Sequence, residues 1–197
     1  MRGFFVKQHE DRCGNVVTTI EGYEISHDGR ELIYHKESED SGIIEDLFEY
    51  LPHNSVVYFD SGVYEAEKIE LTSANIVITS IPALNKIESI PVIKTHRFIL
   101  PKWSIVKYLE LRCGEIICEK TLMNDCIIRE TVINNALVVC CNIFGGKISG
   151  EPHEPDLVIE RSNIFDSDLR HCNFIRNRPA GRFLRESLEL IGDREAV

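Results

Sequence analysis

The stretch that decides the fold is residues 121–150, which reads TLMND CIIRE TVINN ALVVC CNIFG GKISG in blocks of five. After an interruption the five-residue repeat resumes as SNIFD SDLRH CNFIR over residues 162–176. Each block begins with a small or compact residue and carries a large apolar residue third. An α-helix recurs every 3.6 residues and a strand every two, so a five-residue period predicts a coil that turns a corner after each short side. The pattern therefore predicts a solenoid, whose repeats bury a core by stacking on their neighbours.

The third positions of the blocks define the predicted core, and we expect them to point into one continuous interior. They are Met123, Ile128, Ile133, Val138, Ile143, Ile148, Ile159, Ile164, Leu169 and Phe174. Cysteines recur at the small first position, as Cys126, Cys141 and Cys172. Extending the beat backwards places Cys113 and Cys118 on third positions. A buried free cysteine behaves as a small hydrophobe, so we predict reduced, metal-free thiols that serve packing.

Composition predicts a soluble protein inside the cell. Hydrophobic residues make up 43% and charged residues 27% of the 197 positions, as in globular domains. The N-terminal run MRGFFVKQHEDR is too poor in apolar residues for a signal peptide, whose apolar segment spans about 7–15 residues. No segment reaches the roughly 18 uncharged apolar residues of a membrane span. We therefore predict a cytoplasmic location and no membrane partner.

The formal net charge of −10 lies in the first third of the chain. Residues 1–70 contain 16 acidic and 6 basic side chains, whereas residues 71–197 contain 16 of each. A uniformly acidic solenoid is therefore excluded. Near the C-terminus the basic residues are interleaved with acidic ones, which disfavours nucleic acid as a partner.

Residues 1–54 are predicted to form a β-hairpin and a capping helix. His27-Asp28-Gly29 separates two strand-like runs, which is a good hairpin signal. Apolar residues over 41–51 recur at helical spacing, with Ser41 as the N-cap and Pro52 ending the helix. A strand ending in SGVY at residues 61–64 and an Ile/Val-rich strand around Asn75 follow. This order resembles the entry of pectin-lyase-like right-handed β-helices, and the resemblance implies that the helix covers the open end of the first coil.

Residues 55–181 are predicted to form the solenoid, an all-β right-handed parallel β-helix with pentads from about residue 111. Residues 182–197 are predicted to form a C-terminal capping helix with its apolar residues on one face. The proline-rich residues 80–105 are predicted to form turns and corners rather than central strands. Trp103, in the same part, is predicted to pack in the core or at its edge.

The blocks SNIFD, SDLRH and CNFIR resemble the pentapeptide-repeat family, with Asn163, Asp168 and Asn173 ahead of the large apolar residue. The resemblance implies a right-handed β-helix of square section with four pentads to a coil. The earlier blocks have apolar residues at the second position instead, such as Leu122, Val132 and Leu137. Square and triangular sections therefore both remain open.

No catalytic, cofactor-binding or metal-binding residues are predicted, because the chain lacks a phosphate loop, a Rossmann glycine motif, a nucleophile elbow and an H-E-x-x-H motif. Candidate partner-binding residues lie in the acidic loop that interrupts the beat and in a basic run near the C-terminus. They are Glu151, His153, Glu154, Asp156, Arg170, Arg176 and Arg178. An acidic block over residues 37–49 is a further candidate for binding a basic protein surface.

Three functions remain open. The leading one is a non-enzymatic scaffold that presents a rigid face to another protein or to copies of itself. The second is a carbohydrate-active β-helix, a lyase or hydrolase, which would need clustered carboxylates. The third is implied by the pentapeptide-repeat resemblance: a DNA mimic that acts on a topoisomerase. The neutral balance beyond residue 70 counts against it, because duplex DNA carries one negative charge per roughly 1.7 Å.

The surface of the folded chain should discriminate between these functions. A concave cluster of carboxylates would favour the enzyme, a linear stripe of carboxylates the DNA mimic, and an apolar strip the binding or assembly protein.

Overall fold

The chain folds as a parallel β-solenoid, as the five-residue beat predicts. The computed structural model describes residues 1–80, 90–149, 158–170, 173–175, 178–180 and 185–186, and from residue 169 onward it describes the backbone alone. Within these ranges there is one α-helix, and it precedes the solenoid.

The elements follow one another in a simple order. Before the solenoid come β1 (Arg2–Glu10), β2 (Val16–Ser26), β3 (Gly29–Ser38) and α1 (Gly42–Tyr50). Its first strands are β4 (Ser55–Phe59), β5 (Val63–Glu70), β6 (Val77–Ser80), β7 (Val92–Leu100), β8 (Ile105–Lys107) and β9 (Glu110–Asn124). The pentads form β10 (Ile127–Arg129), β11 (Val132–Val139), β12 (Asn142–Phe144), β13 (Lys147–Ser149), β14 (Val158–Glu160), β15 (Asn163–Phe165), β16 (Asp168–Arg170), β17 (Asn173–Ile175), β18 (Arg178–Ala180) and β19 (Arg185–Glu186).

Strand register shows that each coil has three sides. Ile128 pairs with Ile143 and Ile133 with Ile148, so a coil of the regular part takes three pentads. The section is therefore triangular, and the four-pentad square coil implied by the pentapeptide-repeat resemblance is not what these pairings form. Between β13 and β14 the spacing is longer, since Val138 pairs with Ile159. The extra residues fall at 150–157, where the sequence beat is interrupted.

We name the sides by the strands that form them. Side 1 consists of β4, β6, β8, residues 122–124 and 137–139, β14 and β17. Side 2 consists of residues 63–66, 92–95 and 110–113, then β10, β12, β15 and β18. Side 3 consists of residues 68–70, 97–100, 115–118 and 132–134, then β13, β16 and β19.

The fifth residue of the pentad makes the corner, because it adopts a left-handed backbone conformation. The residues with positive φ at this position are Asp125, Glu130, Asn135, Cys140, Gly145, Arg161 and Asp166. Aspartate, asparagine and glycine tolerate this region best. Its backbone N–H still continues the ladder, as when Glu130 N donates to the carbonyl oxygen of Phe144 at 2.8 Å. One residue therefore turns the chain without leaving its N–H unpaired.

The small first residue of the pentad is buried just after the corner and forms hydrogen bonds there. Thr131 Oγ1 donates to the carbonyl oxygen of Arg129 at 2.7 Å and accepts from the Cys113 N–H at 3.2 Å. Ser162 Oγ does the same with Glu160 O and Cys141 N, at 3.0 and 3.1 Å. First-position side chains therefore link successive coils, a role beyond the packing that the sequence predicts.

The predicted core is confirmed wherever side chains are described. The third-position residues are Met123, Ile128, Ile133, Val138, Ile143, Ile148, Ile159 and Ile164, all at most 1% exposed. Leu169 and Phe174 occupy the matching register, pairing with Ile148 and Ile159. All the described third positions belong to one continuous hydrophobic cluster.

The pentad beat does not extend backwards unchanged from Met123. Ile128 pairs with Leu111 and Ile133 with Ile116, so Leu111 and Ile116 occupy the third positions of the preceding coil. The spacing from Ile116 to Met123 is seven residues rather than five, which displaces Cys113 and Cys118 from the predicted third positions. Both cysteines are nevertheless buried, at 2% and 6% exposure.

The N-terminal cap forms as predicted. Helix α1 buries Ile43, Ile44, Leu47 and Phe48, and the Phe48 ring lies 6.3 Å from Phe59 inside the first coil. Strand β1 pairs with β4 and extends side 1 by one layer, while β2 and β3 continue from it as an antiparallel hairpin. The predicted Ser41 cap is wrong in detail, because the Ser41 side chain makes no capping bond. Asp40 Oδ1 accepts from Gly42 N instead, at 3.0 Å.

Three other predictions need correction. Residues 80–105 contain the nine-residue strand β7, which begins directly after Pro91, so part of this region is a regular solenoid strand. Trp103 is 62% exposed rather than packed in the core. In the predicted C-terminal helix the described residues, Arg185 and Glu186, form the strand β19 against β16. The remainder of that prediction lies outside the described residues.

Candidate functional site

The clearest surface feature is an apolar column on the outside of side 1. Its members stand in register from one coil to the next. They are Val56, Val77, Ile105, Leu122, Leu137 and Val158, which we call the apolar ladder. Strand alternation explains their direction, since each precedes a fully buried residue and so points outward. Leu137 is the most exposed of them at 37%, and the others are half-buried by their neighbours in the column.

Aromatic rings lie beside the N-terminal end of the apolar ladder, in the neighbouring outward column of side 1. Phe5 of β1 stacks on Tyr58 of β4 with centroids 5.1 Å apart, and Tyr23 packs edge-on against Phe5 at 6.0 Å. At the corners beside the ladder, Trp103 and Tyr108 are exposed by 62% and 48%. A run of outward apolar side chains this regular is unusual for a surface and is typical of interaction sites.

Two charged residues lie beside the apolar ladder on the same side. Lys107 and Glu160 occupy the next outward column, in β8 and β14 respectively, and both are half-buried. Arg161 Nε lies 3.3 Å from Glu160 Oε1. Between these two coils the same column holds Asn124 and Val139. Within this column, charge is therefore confined to Lys107 at one end and Glu160 at the other, and Arg161 lies at the corner beside Glu160.

Side 2 has a different outer surface: one outward column is built from charged and aromatic residues in contact, and the other holds Val63, Val92, Glu110 and Ile127. Lys94 Nζ lies 2.8 Å from Glu65 Oε1. Glu110 Oε1 accepts from both Arg112 and Arg129, at 2.7 and 2.8 Å. We call these contacting residues the paired ladder: Glu65, Lys94, Glu110, Arg112 and Arg129.

Aromatic rings complete the paired ladder towards its C-terminal end. The Arg129 guanidinium carbon lies 4.6 Å from the centroid of the Phe144 ring, and Phe144 stacks on Phe165 at 4.8 Å with an interplanar angle of 5°. Each member of this stack therefore covers the face of the next.

A groove runs along the corner between side 2 and side 3. Its volume is about 880 Å³, and the paired ladder forms one wall, with Lys94, Arg112, Arg129 and Phe144 among the lining residues. At the floor of the groove the backbones of Gly114 and His96 approach closely, since a Cβ atom on Gly114 would lie 2.7 Å from the His96 carbonyl oxygen. The groove carries Glu65, Glu130 and Asp166 as well, so its basic residues are balanced by carboxylates.

Carboxylates elsewhere on the described sides are dispersed rather than arranged in a stripe or a cluster. On side 3, Arg97 Nε lies 3.4 Å from Glu115 Oε2, and Glu115 Oε1 accepts from the Asn134 side-chain amide at 3.5 Å. Within the described ranges, no group of three or more His, Cys, Asp or Glu side chains is placed to hold a metal ion. Of the three arrangements that would discriminate between functions, the apolar strip is therefore the one that the described surface presents.

Two of the predicted partner-binding residues lie in the described part of the chain. Arg170 lies in β16 on side 3, and Arg178 lies in β18 on side 2. The remaining candidates, Glu151, His153, Glu154, Asp156 and Arg176, lie outside the described residues. The sequence did contain the signal for the apolar ladder, namely the apolar second positions Leu122 and Leu137, but it was interpreted only as a departure from the pentapeptide-repeat pattern.

The acidic block over residues 37–49 has structural roles at several positions. Glu45 Oε1 accepts from the backbone N–H groups of Glu67 and Lys68, at 2.7 and 3.2 Å, and so fixes α1 to the first coil. Asp46 pairs with Lys36, and Asp40 caps the helix. These contacts favour a structural interpretation of the block over a binding surface.

The described cysteines are free, and four of the six are buried: Cys113, Cys118, Cys126 and Cys141. Burial raises the pKa of the Cys113 and Cys118 thiols to about 12. The hydrogen bond to Cys141 and burial together raise the pKa of Cys126. Cys13 and Cys140 are exposed, and Cys172 lies outside the described residues. High thiol pKa values make Cys113, Cys118 and Cys126 poor nucleophiles and poor metal ligands at neutral pH.

Comparison of the chain with models of protein families, with curated proteins and with solved structures finds no match. The resemblances to the pentapeptide-repeat and pectin-lyase-like families therefore stay predictions. No helix in the described part of the chain is long and apolar enough to cross a membrane.

Proposed function

We propose that this protein is a non-enzymatic β-helical scaffold that binds protein through side 1. The observation that carries the proposal is the apolar ladder, which places six aliphatic side chains in register along the solenoid. Hydrogen bonding between coils keeps the strands of this side parallel and in register, so the ladder is preorganised. A preorganised apolar surface loses little conformational entropy on binding, which favours association.

Burial of the ladder supplies the driving force. Apolar surface removed from water contributes about 25 cal/mol per Å², and the flanking Trp103 and Tyr108 are residue types enriched at interfaces. Phe5 and Tyr58 continue the same surface. The side carries few charges, so a partner would not have to desolvate many ions.

Site-specific photo-crosslinking tests the proposal. A photoreactive amino acid is placed at position 137 on the apolar ladder and, as the matched control, at Val132, which points outward from side 3. In lysate of the cells that naturally make the protein, position 137 should give one reproducible cross-linked protein, identified by mass spectrometry. A second substitution, Leu122→Asp, should abolish that product. Equal cross-linking from both positions, or none from position 137, would refute binding through side 1.

Carbohydrate binding in the groove is the second candidate function. It is favoured by the mixture of groups there, since Lys94, Arg112 and Arg129 are each paired with a carboxylate. Paired charges exert little attraction on a polyanion but still offer donors and acceptors to hydroxyl groups. Titration with neutral oligosaccharides, followed by NMR, should then shift the resonances of Arg112 and Arg129. Shifts confined to side 1, or no shifts at millimolar sugar, would exclude this function.

The DNA-mimic function is not favoured by the surface. A DNA mimic needs carboxylates in a continuous line, whereas the described acids Glu65, Glu110 and Glu115 each lie beside a basic side chain. Their charge is therefore largely neutralised at short range.

A further inference from the structure

We propose that the partner of side 1 is a second copy of this chain, packed face to face and end for end. This inference rests on the proposed function and identifies the protein that side 1 would bind. Face-to-face sheets pack about 10 Å apart with their strands nearly aligned. A two-fold axis parallel to the strands would bring the apolar ladder of one copy onto that of the other, reversed in direction.

The outward residues fit such a reversal. With the axis midway between the coils of Leu122 and Leu137, Leu122 of one copy faces Leu137 of the other, and Ile105 faces Val158. A closed two-fold contact of this kind is isologous, so each pairing occurs twice. Aliphatic residues therefore face aliphatic residues over four rungs, from Ile105 to Val158, whereas Val77 faces the position of Asn173 in β17.

Charge complementarity supports the same register. Lys107 lies one coil before Leu122, and Glu160 lies one coil after Leu137, both in the second outward column. The axis that matches the leucines therefore places Lys107 of one copy opposite Glu160 of the other, twice in the dimer. Arg161 contacts one oxygen of Glu160, and a carboxylate has a second oxygen with which to accept from a lysine.

The column between these charges is compatible with close packing. Asn124 would face Val139 of the second copy, but its side-chain amide already donates to Asp125 Oδ2 at 2.6 Å. One of the two amide N–H groups is therefore paired at the corner, and the second N–H and the carbonyl oxygen must stay at the edge of the contact, within reach of water. A buried donor without a partner would have cost about 1–3 kcal/mol.

Net charge also favours the reversed arrangement. The excess of ten acidic residues lies within residues 1–70, at the N-terminal end of the solenoid. Packing end for end places the two acidic ends at opposite ends of the dimer. Parallel packing would place them side by side, where like charges repel.

The size of the surface sets the expected affinity. Coils rise by about 4.8 Å, so the four rungs that pair in this register span roughly 14 Å. A surface of that length and the width of one short strand buries less than the roughly 1,600 Å² of a standard interface. We therefore expect a dimer with a dissociation constant in the micromolar range, populated at high protein concentration.

Charge reversal tests the register by sedimentation velocity from 1 to 300 μM in low salt. The wild-type protein should dimerise with rising concentration. The variants K107E and E160K should each dimerise at least tenfold more weakly, because both pairs become repulsive. An equimolar mixture of K107E and E160K should recover the wild-type affinity, since the mixed dimer restores both opposite-charge pairs. The matched control K147E, which reverses a lysine on side 3, should behave as wild type.

Three outcomes would overturn the inference: a wild-type monomer at 300 μM, single variants that dimerise like wild type, or a mixture no better than its components. Circular dichroism and thermal unfolding of each variant exclude misfolding as the cause. The proposed function fails separately. If the protein stays monomeric but position 137 still cross-links to a different protein, the scaffold function is supported and self-association is refuted. If dimers form while Leu122→Asp leaves every cross-link unchanged, the proposal that the protein binds through side 1 is refuted.

Discussion

In the regular coils, side 1 and side 2 of the solenoid are built from pentads of the same pattern and differ in what they present to solvent. Their third-position residues are equally buried, as in Val138 and Ile143, both 0% exposed. Outside, side 1 presents an aliphatic column, whereas the residues of side 2 pair and stack with one another along the column. The difference shows that the first, third and fifth positions hold the coil together, while the second and fourth positions set the surface chemistry. A side whose outer residues already satisfy one another has less to gain from a partner.

The framework that both sides share should be the most sensitive to substitution. At Gly146, a Cβ atom would lie 2.3 Å from the Thr131 carbonyl oxygen and 2.6 Å from its nitrogen, and φ is +80°. Because backbone atoms cannot move aside cheaply, Gly146→Ala should lower the free energy of unfolding by about 3–5 kcal/mol. The neighbouring Gly145→Ala meets only the Glu130 side chain, at 3.6 Å.

The Gly145→Ala variant is therefore the control and should cost about 1 kcal/mol, the penalty of a left-handed alanine. Urea unfolding of both variants measures the difference. Similar losses for the two glycines would mean that the corner is less tightly packed than the structure indicates.

The two sides should respond equally when their inward residues are truncated. Met123→Ala on side 1 and Ile143→Ala on side 2 both remove fully buried side chains. Each should lower the free energy of unfolding by about 2–5 kcal/mol, through lost burial and the cavity left behind. Chemical denaturation measures both. If one substitution cost less than half as much as the other, the two sides would not share an equivalent core.

Stability should fall at alkaline pH because of the buried thiols that line the shared interior. The folded pKa of Cys113 is about 12, above the ordinary value of 9.0. Its contribution is fully present below pH 9 and is lost as the pH rises from about 9 to 12, at about 1.4 kcal/mol per pH unit. Cys113→Ala should reduce the slope of unfolding free energy against pH by that amount. Equal slopes in the wild-type protein and the variant would indicate that the Cys113 thiol is accessible to solvent.

The sequence was sufficient to predict the solenoid, its core and its N-terminal cap, because those follow from periodicity and amphipathic patterns. It was not sufficient for the number of sides, since a pentad repeats identically whether three or four of them close a coil. That number depends on the corner geometry of residues such as Asp125 and Glu130, whose left-handed backbone is not a property of their side chains alone. Strand β1 was missed because its alternation of Phe4 and Val6 is short and lies among charges.

The apolar ladder was not predicted from the sequence, for a physical reason. Val56 and Leu137 lie 81 positions apart in the sequence, and the successive coils between them take 21, 28, 17 and 15 residues. Their alignment in one column follows from strand pairing across several coils. Charged loops, by contrast, are visible as local runs of letters, which drew the sequence interpretation to residues 151–156 and to the arginines near the C-terminus.

The smallest expected effect is also the most direct comparison of the two outer surfaces. On side 2 the parallel rings of Phe144 and Phe165 lie 4.8 Å apart, so a double-mutant cycle with alanine should give a coupling energy of about 0.5–1.5 kcal/mol. On side 1 the cycle for Leu122 and Leu137, neighbours in the same register, should give only about 0.2–0.5 kcal/mol, at the lower end for cross-strand pairs. Unfolding is measured at 1 μM, where the proposed dimer is not populated and association cannot contribute. A larger coupling energy on side 1 than on side 2 would contradict the view that the outer residues of side 2 stabilise one another more strongly than those of side 1 do.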